Sequence, residues 1–189
     1  EHYLTLKIND ELRPKKEWIK KVAVKQEPNS GLMAPPEDFA DMLRKKGDLH
    51  EQRCLSRYKE TFPNSVFEVP ERNEAGYENF AEWVQRIGNP MEENYSVIFQ
   101  MPFIHEGIRG VADFLLREEY GNGKVAYEPV DSKLSRTGAK QGHLLQLLFY
   151  AEAVEAKTGI RPRQVHVLLG SGEVESFNVR DYWWYWKRL

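Results

Sequence analysis

Two carboxylates sit inside apolar, strand-like runs on either side of a tight turn, and this limits what the chain can fold into. The runs are Gly110-Val111-Ala112-Asp113-Phe114-Leu115-Leu116 and Lys124 to Leu134, with Tyr120-Gly121-Asn122-Gly123 between them. Glycine and asparagine adopt the backbone angles of a reversal, so the segment predicts a hairpin. Such a hairpin brings Asp113 beside Asp131. Residues two apart on a strand face the same way, so Asp131 and Lys133 project together. A carboxylate among apolar neighbours is costly unless it is paired or bound to a metal. Two adjacent carboxylates repel, and a divalent cation removes that cost. A lysine beside them can orient a water or stabilise charge developing on a phosphate. Plainer explanations stay open: an edge strand turning Asp113 to solvent, or Asp131 and Lys133 forming a surface ion pair. Glu128, three residues before Asp131, faces the other way in a regular strand and ranks below it.

The remaining punctuation predicts helices around these strands. Pro35-Pro36 followed by Glu37 and Asp38 reads as a helix start with acids in the first turn. Phe39, Met42, Leu43, Leu49, His50, Cys54 and Tyr58 continue at roughly helical spacing, with Gly47 as a weak point, until Phe62-Pro63-Asn64. A short strand follows near Val66 to Pro70. A second helix is expected from about Glu74 to Ile87, with Phe80, Trp83, Val84 and Ile87 on one face. Ser96 to Ile104 reads as a strand that turns at His105-Glu106-Gly107. Lys140 to Lys157 reads as a Leu- and Ala-rich helix capped by Gly159, with Pro162 beyond it. Val165 to Leu169 and Val174 to Phe177 read as two short strands. The order predicts an α/β fold on a central mixed β-sheet flanked by helices.

On the Leu-rich helix Gln146 and Tyr150 are spaced i, i+4 and share a face, with His143 on that side too. The stripe is either solvent-exposed or a cleft wall. His50 and Glu51 lie on the first long helix, and a lone histidine there is more often structural than a ligand.

Composition narrows the classes. The 189 residues suit one domain, expected at 36–189 after a basic N-terminal segment at 1–35. A net charge of −2 means that any nucleic-acid surface is local. The stretch Arg13 to Lys25 carries Arg13, Lys15, Lys16, Lys20, Lys21 and Lys25, and is either a solvated face or a phosphate contact. The single Cys54 excludes an internal disulfide and a Cys-ligated cluster within this chain. No apolar run spans a membrane, and Glu1-His2-Tyr3-Leu4 has neither the basic start nor the apolar core of a signal peptide. A cytoplasmic setting is expected. The chain does not open on Met, which fits a piece of a longer protein.

Four pieces in register resemble the RecB-like nucleases of the PD-(D/E)XK superfamily: Gly47-x-x-His50-Glu51 on a helix, Gly110-x-x-Asp113 on a strand, Asp131-x-Lys133 on the next strand, and Gln146-Leu147-x-x-Tyr150 on the following helix. The similarity covers about residues 36–185. The stretch Tyr127 to Tyr150, followed by Val167-Leu168-Leu169-Gly170, is similar to CRISPR-associated adaptation exonucleases. Some such proteins are fused to a helicase or an RNase H-like domain, so a partner domain of that kind is an expectation. The resemblance implies a PD-(D/E)XK restriction-endonuclease-like core and metal-dependent cleavage of DNA, exonuclease-like on single strands or ends. It implies metal ligation by His50, Asp113, Asp131 and the Ser132 carbonyl, with Lys133 positioning the attacking water. It further implies that Gln146 and Tyr150 line the cleft and contact DNA. Arg136 and Lys140 are expected to hold the phosphate backbone. Mn²⁺ or Mg²⁺ is the expected cofactor, with Mn²⁺ favoured if an imidazole joins the oxygen ligands. Many relatives carry a four-cysteine iron–sulfur cluster, which this chain cannot build. The second acid is Asp where Glu is commoner. The alternative is a nuclease-fold DNA-binding module that has lost activity and serves a repair or defence assembly.

Overall fold

The computed structural model describes residues 37–72, 79–135, 138 and 141–189. The basic strip Arg13 to Lys25, Arg136, Lys140 and the expected helix start near Glu74 lie outside the described residues. The elements in chain order are α1 (Glu37–Thr61), β1 (Val66–Glu68), α2 (Phe80–Ile87), β2 (Val97–His105), β3 (Ile108–Tyr120), β4 (Lys124–Lys133), α3 (Gln141–Thr158), β5 (Gln164–Leu169), β6 (Val174–Asn178) and α4 (Val179–Arg188).

The six strands form one mixed sheet in the order β1-β2-β3-β4-β5-β6. Strands β2, β3 and β4 are joined by tight turns and are antiparallel. Strand β5 runs parallel to β4, and α3 is the crossover that a parallel pair requires. Strand β1 is parallel to β2, and β6 pairs antiparallel with β5. Strand β4 is buried from Ala126 to Ser132, as expected for a central strand covered on both faces.

Alternation along the strands divides the core in two. Leu115 and Tyr127 join the larger cluster, into which α3 sends Leu147, Leu148, Phe149 and Val154. Val97, Phe99, Phe114 and Val130 join the smaller cluster, closed by Cys54 and Leu55 of α1. Helix α3 is buried from Gln146 to Val154, which explains why its sequence is apolar nearly all round. Helix α1 behaves differently. Gly47 does not interrupt it, and Phe39, Met42 and Leu49 from its apparent apolar stripe are exposed.

The terminal aromatics divide by position. Trp186 is buried and donates from Nε1 to Glu152 Oε2 at 2.7 Å, while Lys187 pairs with the other oxygen of Glu152. Arg161 stacks on Trp183. Trp184 and Tyr185 face outward. Among the described residues, no helix is long and apolar enough to cross a membrane.

Candidate active site

The hairpin places the two acids side by side. The β3–β4 ladder ends with Phe114 opposite Val130, and Asp113 lies just beyond it, beside the end of β4 that carries Asp131. Here the Asp113 carboxylate enters the backbone pattern: its Oδ2 accepts the Ser132 amide at 2.8 Å. Asp131 is 1% exposed. Lys133, on the same face, brings Nζ to 2.9 Å from Asp131 Oδ1. That distance makes an ion pair, but neither Asp131 oxygen has a hydrogen-bond partner of good geometry among the described residues.

A third carboxylate reaches the group from α1. Glu51 Oε2 accepts from Gln100 Nε2 at 2.9 Å. Burial, and then the charge of Asp113, push the Glu51 carboxyl well above the ordinary range, against the pull of Lys133. Burial and Asp113 likewise push Asp131 up, again against Lys133. Burial works to lower the Lys133 ammonium, but Asp131, Asp113 and Glu51 outweigh it and hold the group charged. Three acids thus share one cation in a largely dry site.

The helix α3 face backs this group. Tyr150 donates to the Val111 carbonyl at 2.6 Å, and Gln146 Nε2 donates to the Tyr150 hydroxyl at 3.1 Å. Burial, opposed by the Gln146 bond and reinforced by Asp113 and Asp131, drives the Tyr150 phenol upward, so it stays protonated as a donor. Gln146 Oε1 is buried without a partner among the described residues. The close approach depends on Gly110, because a Cβ there would lie 2.9 Å from both Cε1 and the hydroxyl of Tyr150.

These placements sort the expected site residues. Asp113, Asp131 and Lys133 converge as the hairpin predicts, and Glu128 turns to the opposite face. Tyr150 requires a correction: at 2% exposure, with its hydroxyl given to Val111, it holds β3 to α3 and does not present itself to a DNA strand. His50 also sits differently from the expected ligand. Its Nε2 lies 3.9 Å from Cys54 Sγ, and its other contact is with the Leu168 backbone on β5. Burial, then Arg53 and Arg57, lower its pKa, so the ring is neutral. The helix residue that meets the acids is its neighbour Glu51. Ser132 is fixed through its amide to Asp113, with Oγ 4.0 Å from Cys54 Sγ. Gln100 had no signal in the sequence, because its role depends on a backbone conformation that no residue pattern announces.

The donor set suits a hard divalent cation. It consists of carboxylates, and the buried Asp131 has Lys133 beside Oδ1 and no hydrogen-bond partner at Oδ2 among the described residues. Among the described residues, the group whose ligand atoms all lie within 4.8 Å of one another is His105, Glu106 and Glu152, elsewhere in the fold; Asp113, Asp131 and Glu51 are not drawn together that closely. Its buried member Glu152 is already claimed by Trp186 and Lys187, so that group reads as the anchor of α4. A groove of about 590 Å³ opens on the opposite face of the sheet, lined by Tyr120, Glu128, Arg163 and His166 among others. It contains none of the converged acids.

Compared with known proteins, the chain matches no protein-family model and no curated protein.

Proposed function

We propose that this chain is a metal-dependent DNA nuclease, exonuclease-like on single strands or ends, built on a PD-(D/E)XK core of the RecB-like kind. The observation that carries the reading is the convergence of Asp113, Asp131, Glu51 and Lys133, with Asp131 buried and short of hydrogen bonds. The finer fold reading rests on element order: the acids lie on adjacent strands β3 and β4, and the helix after them carries Gln146 and Tyr150 behind the site.

Charge argues for a cation. Burial and mutual repulsion resist ionisation of Glu51 and Asp131, and a divalent ion would let all three acids ionise and would balance them against a phosphodiester. Asp113, Asp131 and Glu51 would hold it, and the Ser132 carbonyl is a further oxygen on the same strand. Bound there, Mg²⁺ or Mn²⁺ supplies positive charge for a phosphate oxygen and lowers the pKa of water. Lys133 then acts from 2.9 Å beside Asp131. As a charged donor it orients the attacking water and offsets charge developing on the phosphate. The Ser132 amide fixes Asp113, and Tyr150 locks β3 through Val111, so the acids need little reorganisation. Arg136 and Lys140, just past Lys133 in the chain, supply local positive charge for the backbone of the strand being cut.

The test is cleavage of end-labelled single- and double-stranded DNA, with and without Mn²⁺ or Mg²⁺. Wild type should cut only with metal, and Lys133→Ala and Asp113→Ala should lose at least about 100-fold in rate while remaining folded. Undiminished cutting by Lys133→Ala would remove its assigned role. No cutting of any substrate by wild type would favour a binding module.

A further inference from the structure

Strand β2 has an irregularity at the one point where it faces the acids. Its ladder with β3 pairs Phe99 with Phe114 and Met101 with Ala112, and the register is the same on both sides. No residue has been inserted, so this is not a bulge. Gln100, which falls opposite Asp113, is missing from the ladder and takes a left-handed backbone with φ 58°. Glycine, asparagine and aspartate enter that region with least strain, and glutamine has no such advantage. The conformation directs its side chain to α1, where Nε2 meets Glu51 Oε2 at 2.9 Å. Strained backbone that the surrounding structure holds in place is concentrated at functional sites.

We infer that Gln100 is a positioning residue: its left-handed kink in β2 fixes the Glu51 carboxylate as the third acid of the metal site. The inference rests on the metal-dependent reading above and adds to it a residue outside the four recognised segments. Glu51 comes from a helix, whereas Asp113 and Asp131 come from the sheet. A donor on β2 is what ties the helix acid to the sheet acids. Gln100 itself contributes no ligand, so it acts only through Glu51.

That dependence can be measured. Mn²⁺ would be titrated calorimetrically into the full chain as wild type, Gln100→Gly, Gln100→Asn, Glu51→Ala and Glu51→Ala/Gln100→Gly, and each would be melted without metal. Glycine tolerates the kink but has no side chain, and asparagine tolerates it but is one methylene too short. Both single variants should fold, Gln100→Gly should melt no lower than wild type, and both should bind Mn²⁺ about 10- to 100-fold more weakly, the size of effect usual for a supporting partner of a ligand. In the Glu51→Ala background, Gln100→Gly should produce no further loss of affinity. Unchanged Mn²⁺ affinity in Gln100→Gly, or an equal loss in both backgrounds, would overturn the inference while leaving the metal site standing. Wild type that takes up no Mn²⁺ would overturn the metal reading, and the inference with it.

Discussion

Asp131 is almost fully buried, feels the charge of a second acid, Asp113, and has one cation beside it. Its raised pKa has a definite sign in stability. The unfolded chain ionises this carboxyl in the ordinary range, while the folded chain resists ionisation until a higher pH. Without metal, the fold therefore loses stability as pH rises from the ordinary carboxylate range to the raised value. Asp131→Asn removes that loss. In chelator, the variant should melt higher than wild type at neutral and alkaline pH, and the advantage should vanish in acid. Adding Mn²⁺ should raise the melting point of wild type and not of the variant. A variant that melts lower at alkaline pH would show that the ion pair with Lys133 outweighs the burial of charge. The neighbouring pair on α1 gives a second residue-scale prediction. His50 contacts Cys54 and β5, and Glu51 meets the acids. Glu51→Ala should weaken Mn²⁺ and Mg²⁺ binding together, whereas His50→Ala should leave the ratio of the two affinities as in wild type. A shift toward Mg²⁺ in His50→Ala, seen by calorimetry, would return the imidazole to the ligand set.

At the level of elements, the close contact of β3 with α3 depends on one missing side chain. Gly110→Ala places a Cβ 2.9 Å from the Tyr150 ring and 3.1 Å from Phe149, both fully packed. The overpacking should cost about 1–3 kcal/mol. It should also lower cleavage, because Tyr150 holds the strand that carries Asp113. Tyr150→Phe frees the Val111 carbonyl and should cost about 1–2 kcal/mol. Chemical denaturation checks both, and a neutral Gly110→Ala would mean that α3 can shift freely. Much of this level was legible in the sequence. The hairpin about Gly121–Gly123, the face shared by Asp131 and Lys133, and the helix closed by Gly159 follow from period and turn chemistry, which are local. Two things were not legible, for one physical reason. The exposure of Phe39, Met42 and Leu49 depends on what α1 meets, and only its later turns reach the sheet. The choice of Glu51 over its neighbour His50 depends on how α1 is rotated about its axis. Adjacent helix residues differ by about 100° in direction, and the pattern of α1 does not specify that rotation.

Across the whole molecule, the two sheet faces carry different polar groups. Asp131 and Lys133 project on the α3 side and are joined by Glu51 from α1, while on the face opposite α3 Glu128 ties together the strand ends farthest from them. Glu128 Oε1 accepts from the Tyr120 hydroxyl at 2.6 Å and the Gln164 amide at 3.0 Å. Its Oε2 lies 2.9 Å from His166 Nε2, whose Nδ1 is 2.8 Å from Ser176 Oγ on β6. The network spans β3, β4, β5 and β6, so it holds the hairpin to the parallel half of the sheet. Burial works to raise the Glu128 pKa, but the bonds from His166, Tyr120 and the Gln164 amide outweigh it and hold the carboxyl below the ordinary value. The sign is opposite to that of Asp131. A depressed folded pKa contributes stability that is complete above the ordinary glutamate value, about 4.3, and is lost as pH falls through the folded value. Glu128→Gln replaces an acceptor oxygen by a donor among groups that already donate. It should lower stability at neutral pH by about 1–3 kcal/mol and leave metal affinity at the opposite face unchanged. Below the ordinary glutamate value, the melting curves of wild type and variant should converge as the wild-type carboxylate takes up its proton. A gap that stays constant from neutral pH into acid would show that the packing of Glu128, and not its charge, holds the two halves of the sheet together.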